Sequence, residues 1–364
     1  MLPTNIFQLT WALVIPTYQR ETTLLRCLQF AAQQTLLPKE IIVVDASSNW
    51  EVTRNKVIQE LLPQYPTIDW QYLQARRTSS AAQRNQGIER VSADIVFLID
   101  DDSFMYPECA KEVLRLYTQD TNHEVVGIMP KLEILPPDSQ FAPKNTETGN
   151  NVKLSLVIMQ HKLRAFAKRL IKDNDIFIPY NFTFPYYTLP NTLQDMATHS
   201  VPMMHGARMS YRYEVLKQIR FEETLERYAV NEDNDVCYRA SYFGMLLHAE
   251  KARICHIQHS EGRLTRFTVT ALWGLNQLVL HRFHSPDLSR FKKLFKALLW
   301  RRLFSQTLKD ILERRWSLPS VRGVWFVLQH QNEILAKTPD ELRIWYPQFQ
   351  QTLLSQDSKN SRKS

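Results

Sequence analysis

Asp94-Ile95-Val96-Phe97-Leu98-Ile99-Asp100-Asp101-Asp102 is the stretch on which the reading of this chain turns. Five apolar residues in a row, β-branched and aromatic among them, predict a strand buried on both faces. Three consecutive carboxylates then close it. Like charges this near one another repel, and each depends on counter-charge or water to stay ionised. Ending a strand requires none of them, so a divalent cation or a polar ligand is their natural partner. The bland alternative is a solvated strand end, or an Asp/Ser cap for the next helix.

Upstream, the pattern alternates. Trp11 to Ile15 predicts a short strand, stopped at Pro16-Thr17-Tyr18, and Arg20 to Gln34 has helical periodicity through Leu24, Leu25, Leu28 and Ala31/Ala32. Glu40 to Val44 predicts a second buried strand ending at Asp45, followed by a helix from about Val52 to Leu62, a strand over Trp70 to Leu73, and a helix over Ser79 to Arg90 that carries Arg84, Asn85 and Gly87. Strand–helix alternation of this kind predicts a parallel sheet with crossover helices, whose ligands bind beyond the carboxyl ends of the strands. Asp45 and Asp100 to Asp102 share that edge.

Downstream, Pro107 to Tyr117 predicts a helix and Val125 to Pro130 a strand, and then the pattern loosens. Pro136 to Asn151 is polar and turn-rich, Val152 to Lys172 predicts a basic amphipathic helix, and Ile176 to Tyr187 fits no element. Order returns at His205-Gly206 and Tyr211-Arg212, with a helix near Tyr213 to Gln218, an acid-opened helix over Asn231 to Phe243 (Glu232, Asp233, Asp235), and a short strand over Ala252 to Ile257 bearing His256, with His259 beyond it. From about Leu264 only helices are expected. The sharpest is Phe291 to Phe304, which alternates Lys292, Lys293, Lys296, Arg301 and Arg302 with Phe295, Leu298, Leu299 and Trp300. The polar residues from Ser355 to Ser364 predict a disordered tail. The domain expectation is therefore an α/β domain over residues 1–262 with a variable insertion over 135–201, a helical extension over 263–354, and the tail.

Composition narrows the classes. The 364 residues, 44% hydrophobic and 23% charged, suit a globular protein with one large α/β domain plus an appendage. The 4 cysteines (Cys27, Cys109, Cys237, Cys255) show no CxxC spacing, which argues against a zinc ribbon or disulfide framework and for a reducing compartment. A net charge of +8 favours an anionic partner: a nucleotide, a lipid headgroup or a nucleic acid. No basic n-region with a small-residue cleavage site opens the chain, so no signal peptide is expected, and no window approaches the apolar length of a membrane span.

Two acidic clusters carry the chemistry. Asp100 and Asp102 at a strand end suit Mg²⁺ or Mn²⁺ that retains waters and meets a diphosphate. Glu232-Asp233 at a helix start sit where the positive dipole end favours carboxylates, and either could take a proton from a bound hydroxyl; good capping alone would also account for them. His256 and His259 are candidate metal ligands beside the more common reading of packed histidines. Arg84 and Arg20 are candidate phosphate or base contacts, against the ordinary solvated arginine.

These residues also resemble a family. Leu13-Val14-Ile15-Pro16-Thr17-Tyr18-Gln19-Arg20 resembles the "VxIPTYNR" opening of family 2 glycosyltransferases with the GT-A fold, and Glu40-Ile41-Ile42-Val43-Val44-Asp45-Ala46-Ser47 resembles their "EIIVVDDGS". Arg84-Asn85-Gln86-Gly87 is similar to "RNxG", Leu98 to Asp102 to the DxD segment, Gly206 with Tyr211-Arg212 to "Gxxxx[FY]R", and Glu232 to Ala240 to "EDxDLxxRA". The ordered set covers roughly residues 11 to 260. The resemblance implies a Rossmann-like, mostly parallel GT-A sheet flanked by helices. It implies donor contacts from Pro16, Thr17, Tyr18, Arg20, Asp45 (the base), Arg84, Asn85 and Asp100 (the ribose), with Asp101 among them but without a role of its own. It implies metal at Asp102 and Asp100, completed by His256 or His259, and an acceptor side at Gly206, Tyr211 and Arg212. Asp233 would be the catalytic base of an inverting transfer, with Glu232 its neighbour. Gln19 and Ala46 depart from the motifs, and residues Leu135 to Val201 match none of them.

The function expected is a metal-dependent sugar transfer, with Mn²⁺ or Mg²⁺, from a nucleotide-sugar donor to a glycan or lipid-linked acceptor in envelope or exopolysaccharide synthesis. The enzyme would be cytoplasmic and peripheral on the inner face of the membrane, its basic aromatic helices resting on anionic lipid. Two competitors are a non-catalytic sugar-nucleotide-binding scaffold on the same fold and a nucleic-acid binder. The intact acids oppose the first, and the want of any recognised module opposes the second.

Overall fold

The computed structural model of the chain describes residues 9–140, 177–257 and 264–361. The basic segment Val152 to Lys172 and His259 lie outside them. Contacts divide the chain into two compact units, Met1–Pro137 with Phe184–Arg263, and Asp138–Thr183 with Leu264–Ser364.

The first unit is built on a sheet. Its strands are β1 (Trp11–Thr17), β2 (Glu40–Asp45), β3 (Asp69–Gln74), β4 (Ile95–Ile99), β5 (Ser103–Met105), β6 (Val125–Glu133), β7 (Thr198–Ser200), β8 (Arg208–Arg212) and β9 (Met245–His256). Helices α1 (Glu21–Ala32), α2 (Trp50–Glu60), α3 (Ser80–Ile88), α4 (Cys109–Gln119), α5 (Tyr213–Ile219) and α6 (Glu232–Ala240) flank it. The order is β3-β2-β1-β4-β8-β6-β9-β5, with β7 on β9.

The apolar runs form buried strands as expected: every residue of β1, β2 and β4 is buried. β1, β2, β3 and β4 pair parallel, so Thr17, Asp45 and the end of β4 share one edge. Beyond β4 the sheet is mixed rather than parallel. β8 runs antiparallel to both β4 and β6, while β6 and β9 are parallel. The antiparallel insertion of β8 has a positional result: Ile99 pairs with Arg208, which brings Gly206 to the carboxyl end of β4. β5, a three-residue strand, pairs Ser103 with His256 and thereby carries the end of β9 to the aspartates.

β9 begins at Met245, seven residues before the strand expected from Ala252. Its half-exposed middle (His248, Glu250, Lys251, Arg253) hides the alternation, and the pairing with β6 shifts register between Pro130 and Lys131. α3 reverses the usual amphipathic rule, since Gln83, Arg84, Asn85 and Gln86 are all buried. Gly87 lets this helix lie on the sheet, for a Cβ there would stand 2.4 Å from Val14 Cγ1.

In the second unit, α7 (Arg266–His284), α8 (Leu288–Leu312), α9 (Pro319–Ala336) and α10 (Pro339–Ser361) follow one another. Side chains cap three of the four starts: Thr265 for α7, Asp287 for α8, and for α10 a Thr338/Glu341 capping box, in which Glu341 accepts from the Thr338 N–H at 2.7 Å. Gly274 and Gly323 allow α7 and α9 to approach closely. The Tyr346 hydroxyl donates to buried Asn276 at 2.5 Å, tying α10 to α7. The tail expected to be disordered from Ser355 is helical through Ser361, as a continuation of α10. Residues 177–183, expected with the catalytic domain, belong to this unit, where the Ile178 carbonyl contacts His281 Nε2 at 2.8 Å. Among the described residues no helix is long and apolar enough to cross a membrane.

Candidate active site

The carboxyl edge of β1, β2 and β4 is lined with polar side chains, each held by a neighbour. At β1 the Thr17 hydroxyl donates to Asp101 Oδ2 at 2.7 Å. Arg20, just before α1, spans Asp101 and Asp102 at 3.0 and 3.2 Å. Burial opposes the Arg20 charge, but Asp101 and then Asp102 outweigh it and hold its pKa above the ordinary value. Burial also pushes the Asp101 carboxyl up to about 7, against the pull of Arg20 and Thr17. Asp101 thus acquires the role the sequence did not assign: it clamps the β1 end and Arg20 against the turn. At β2, buried Asp45 accepts from the Tyr72 hydroxyl at 2.5 Å and from the Ser47 N–H at 2.7 Å.

Between β1 and β2 a polar pocket is lined by Thr17, Gln19, Arg20, Asp45, Ser47 and Asn49, among others. Gln19 takes a left-handed backbone with φ 55, a conformation asparagine tolerates better, and its N–H donates to Ser47 Oγ at 2.7 Å. Tyr18 lies beneath the Arg227 guanidinium, 5.0 Å from ring centroid to charge. Pro16 is buried within β1. Gln83, which no motif marks, donates to the carbonyls of Thr17 and Val44 at 2.9 and 2.7 Å and so joins the two strand ends.

At the end of β4, Asp100, Asp102 and His256 form a candidate cation site, each offering one ligand atom within 4.8 Å of the others. His256 Nε2 stands 2.9 Å from Asp102 Oδ1 and 4.0 Å from Asp100 Oδ2. Two carboxylate oxygens and one imidazole nitrogen on one side suit a divalent ion that keeps open positions for water or phosphate oxygens, Mn²⁺ better than Mg²⁺ because of the nitrogen.

Arg84 joins this end of the sheet to α6. It is 2% exposed, and its guanidinium meets Glu232 Oε1, Asp100 Oδ1 at 2.8 Å and the Gly206 carbonyl at 3.1 Å. Burial opposes its charge, yet Glu232, Asp100 and Asp233 together raise its pKa. Expected near the base, Arg84 is instead the hub between the DxD turn and the acidic helix start. Burial pushes the Glu232 carboxyl up to about 8 despite Arg84. Ser80 donates to Glu232 Oε1 at 2.8 Å, while buried Oε2 makes no hydrogen bond.

Asp233 differs from its neighbour. It is half-buried, accepting from the Gly206 N–H at 3.0 Å and the Asn234 N–H at 2.9 Å. Two backbone donors at a helix start fix its orientation. The loop leading into α6 is strained, with positive φ at Arg227, Ala229 and Asn231. Three such residues in five are the mark of a conformation held for a purpose.

Three expected site residues take structural positions. Asn85 is buried, donating to the Phe221 carbonyl and to Glu223 rather than facing the donor pocket. Tyr211, expected on the acceptor side, is fully buried with its hydroxyl 3.1 Å from Cys237 Sγ. Arg212 holds Asp120 at 2.9 Å and the Val125 carbonyl at 2.8 Å. β8 is a central strand, so its side chains meet the core; only Gly206, ahead of it, reaches the site.

Residues 12–175 match the family model described as Glycosyl transferase family 2. This stretch, a little under half of the chain, is similar to glycosyltransferase family 2. The sequence is also 32% identical over 108 residues to "Uncharacterized glycosyltransferase YwdF" of Bacillus subtilis (strain 168), covering 28% of this chain and 37% of that protein. It is 25% identical over 162 residues to an "Uncharacterized glycosyltransferase" of Haemophilus influenzae, covering 44% of this chain and 52% of the relative. The matches thus span about a third to a half of the relatives' own lengths. A crystal structure of GalNAc-T7 with UDP, GalNAc and Mn²⁺ aligns with a TM-score of 0.54 at 14% identity, over 93% of this chain and 59% of that one. At that identity the likeness concerns the fold, and the mixed, mostly parallel sheet flanked by helices is the GT-A architecture.

Proposed function

We propose that this protein is a glycosyltransferase of the family 2 kind, an inverting, metal-dependent enzyme that moves a sugar from a nucleotide-sugar donor to a hydroxyl of a glycan or lipid-linked acceptor. The observation that carries the proposal is the Arg84 hub, which binds Asp100 of a divalent-ion ligand set (Asp100, Asp102, His256) and the carbonyl of Gly206, whose N–H in turn holds the Asp233 carboxylate. The solved GT-A structure of GalNAc-T7 contains UDP and Mn²⁺, which agrees with this reading.

The nucleotide would lie along the pocket from Asp45 to Thr17. A divalent ion held by Asp100, Asp102 and His256 would compensate the charge of the diphosphate. Asp233 would accept the acceptor's O–H proton while that oxygen bonds to the anomeric carbon. The bond from that carbon to the diphosphate oxygen breaks, and its electron pair leaves with the nucleoside diphosphate. Attack from the face opposite the leaving group inverts the centre. Glu232, buried and paired with Arg84, is better placed to support Arg84 than to act as base.

The second unit bears on where the enzyme works. α8 exposes Trp300, Phe304, Leu308, Ile311 and Leu312 beside Lys293, Lys296 and Arg301. Aromatic and aliphatic side chains flanked by cations suit an anionic lipid surface, and so a peripheral site on the inner face of the membrane and an acceptor used in envelope or exopolysaccharide synthesis.

The test is a thermal-shift panel of nucleotide sugars with and without Mn²⁺, followed by release of nucleoside diphosphate. One donor class should stabilise the wild type only with Mn²⁺, and Asp102→Asn should abolish the shift and the release. Flat curves across the panel would remove the enzyme reading.

A further inference from the structure

A second cluster of cation-binding side chains lies on β9 away from the donor site. His199, His248 and Glu250 each offer one ligand atom, all within 4.8 Å of one another. β7 pairs antiparallel to β9 with His199 directly opposite His248, and the two rings stand 5.0 Å apart at 36°. His248 Nδ1 is 3.1 Å from Glu250 Oε1, and His199 Nδ1 is 3.7 Å from the same oxygen. Glu250 and His256 stand six positions apart on β9, about 20 Å of strand, and the two clusters share no ligand.

We propose that His199, His248 and Glu250 form a binding site for a transition-metal ion of the Zn²⁺ class, which clips β7 to β9.

Three features support it. In a tetrahedral zinc site with bonds of about 2.0–2.1 Å, neighbouring ligand atoms are about 3.3 Å apart, and the two measured separations bracket that value. His248 Nδ1 is buried and makes no hydrogen bond, although a carboxylate oxygen lies 3.1 Å away, so the pair lacks the alignment of a hydrogen bond. Two imidazole nitrogens and one carboxylate oxygen select Zn²⁺ and its neighbours over Mg²⁺. Lys131, 3.5 Å from Glu250 Oε2, leaves Oε1 to the histidines.

The clip would matter because β7 is three residues long and at the sheet edge. Backbone bonds hold it at Glu250 N–H to the Ala197 carbonyl and Val201 N–H to the Leu246 carbonyl, at 3.1 and 2.9 Å. From Val201 the chain runs five residues to Gly206, whose N–H orients Asp233. An ion on β7 would therefore anchor the segment that sets the base.

The test is a Zn²⁺ titration against a chromophoric chelator, on the wild type, Asp102→Asn, His199→Ala and His248→Gln, with circular dichroism as the check on folding. Wild type and Asp102→Asn should each retain a tight Zn²⁺ equivalent that the two histidine variants lack, with at least a tenfold fall in affinity. Exposed His199 makes the first variant safe for folding. Equal binding by His199→Ala and wild type, or loss of the equivalent in Asp102→Asn, would overturn the proposal, the second result assigning Zn²⁺ to the donor site.

Discussion

Asp233 and Glu232 are adjacent carboxylates with opposite surroundings, and their roles separate at the level of single atoms. Asp233 accepts two backbone N–H bonds and stays half-buried, whereas Glu232 is buried under Arg84 with one oxygen unpartnered. Asp233→Asn should keep the fold and lower kcat by about 10²–10⁴, the range for loss of a general base, as read from nucleoside diphosphate release. Gly206→Ala should give a milder loss, on the order of tenfold to a hundredfold, because its Cβ would stand 3.3 Å from Asp233 Oδ2 and turn the carboxylate. Unchanged rates in Gly206→Ala would mean that Asp233 is not positioned by this contact. Glu232 governs a pH dependence. Its carboxyl has a pKa of about 8 in the fold against 4.5 as the ordinary value, so the folded chain binds the extra proton between those limits and loses stability as pH rises through them. Urea unfolding at pH 5 and pH 8 should show wild type losing stability relative to Glu232→Gln over that interval. Parallel profiles would place the Glu232 pKa near that of a free carboxyl.

At the scale of elements, α3 is the part on which the site most depends. It packs on β1 through Gly87 and turns a buried polar face to the strand ends, so that Gln83 joins β1 to β2 and Arg84 joins β4 to α6. Gly87→Ala drives a Cβ into Val14 and should cost at least about 1–3 kcal/mol, seen as a lower denaturant midpoint at unchanged m-value. The same change should lower activity, since the helix that shifts carries Arg84. The alternation of strands and helices up to Asp102 was readable because each apolar run is short and uniformly buried. β8 and the first half of β9 were not, because an antiparallel strand reaching into a parallel sheet leaves no periodic trace, and β9 is half-exposed where its charges lie.

For the whole molecule, the α/β unit holds the candidate site and the helical unit offers a surface. Trp300 and Phe304 are 55% and 77% exposed on α8, an unusual state for large aromatic side chains next to lysine and arginine. The wild type should sediment with vesicles containing anionic lipid at low salt and much less with neutral ones. Trp300→Glu with Phe304→Glu should release it at least tenfold while leaving donor-induced thermal shifts intact. Equal recovery with both vesicle types, or no effect of the double change, would remove lipid as the partner of this face.

By itself the sequence determined the parallel half of the sheet and the carboxylates at its edge, since burying uniform apolar runs leaves the chain few alternatives and polar residues must gather where strands end. Asp45 and Asp100 to Asp102 were legible for the same reason, Glu232-Asp233 as an acidic helix start, and Pro16 to Arg20 through their resemblance to a family motif. Tertiary structure alone decided which of those residues meet. The antiparallel β8 brings Gly206 to β4, the short β5 brings His256 to Asp102, and a buried guanidinium at Arg84 demands counter-charges that only distant segments supply. It also withdrew Asn85, Tyr211 and Arg212 into the core, because a central strand and a buried helix face satisfy their polar atoms internally.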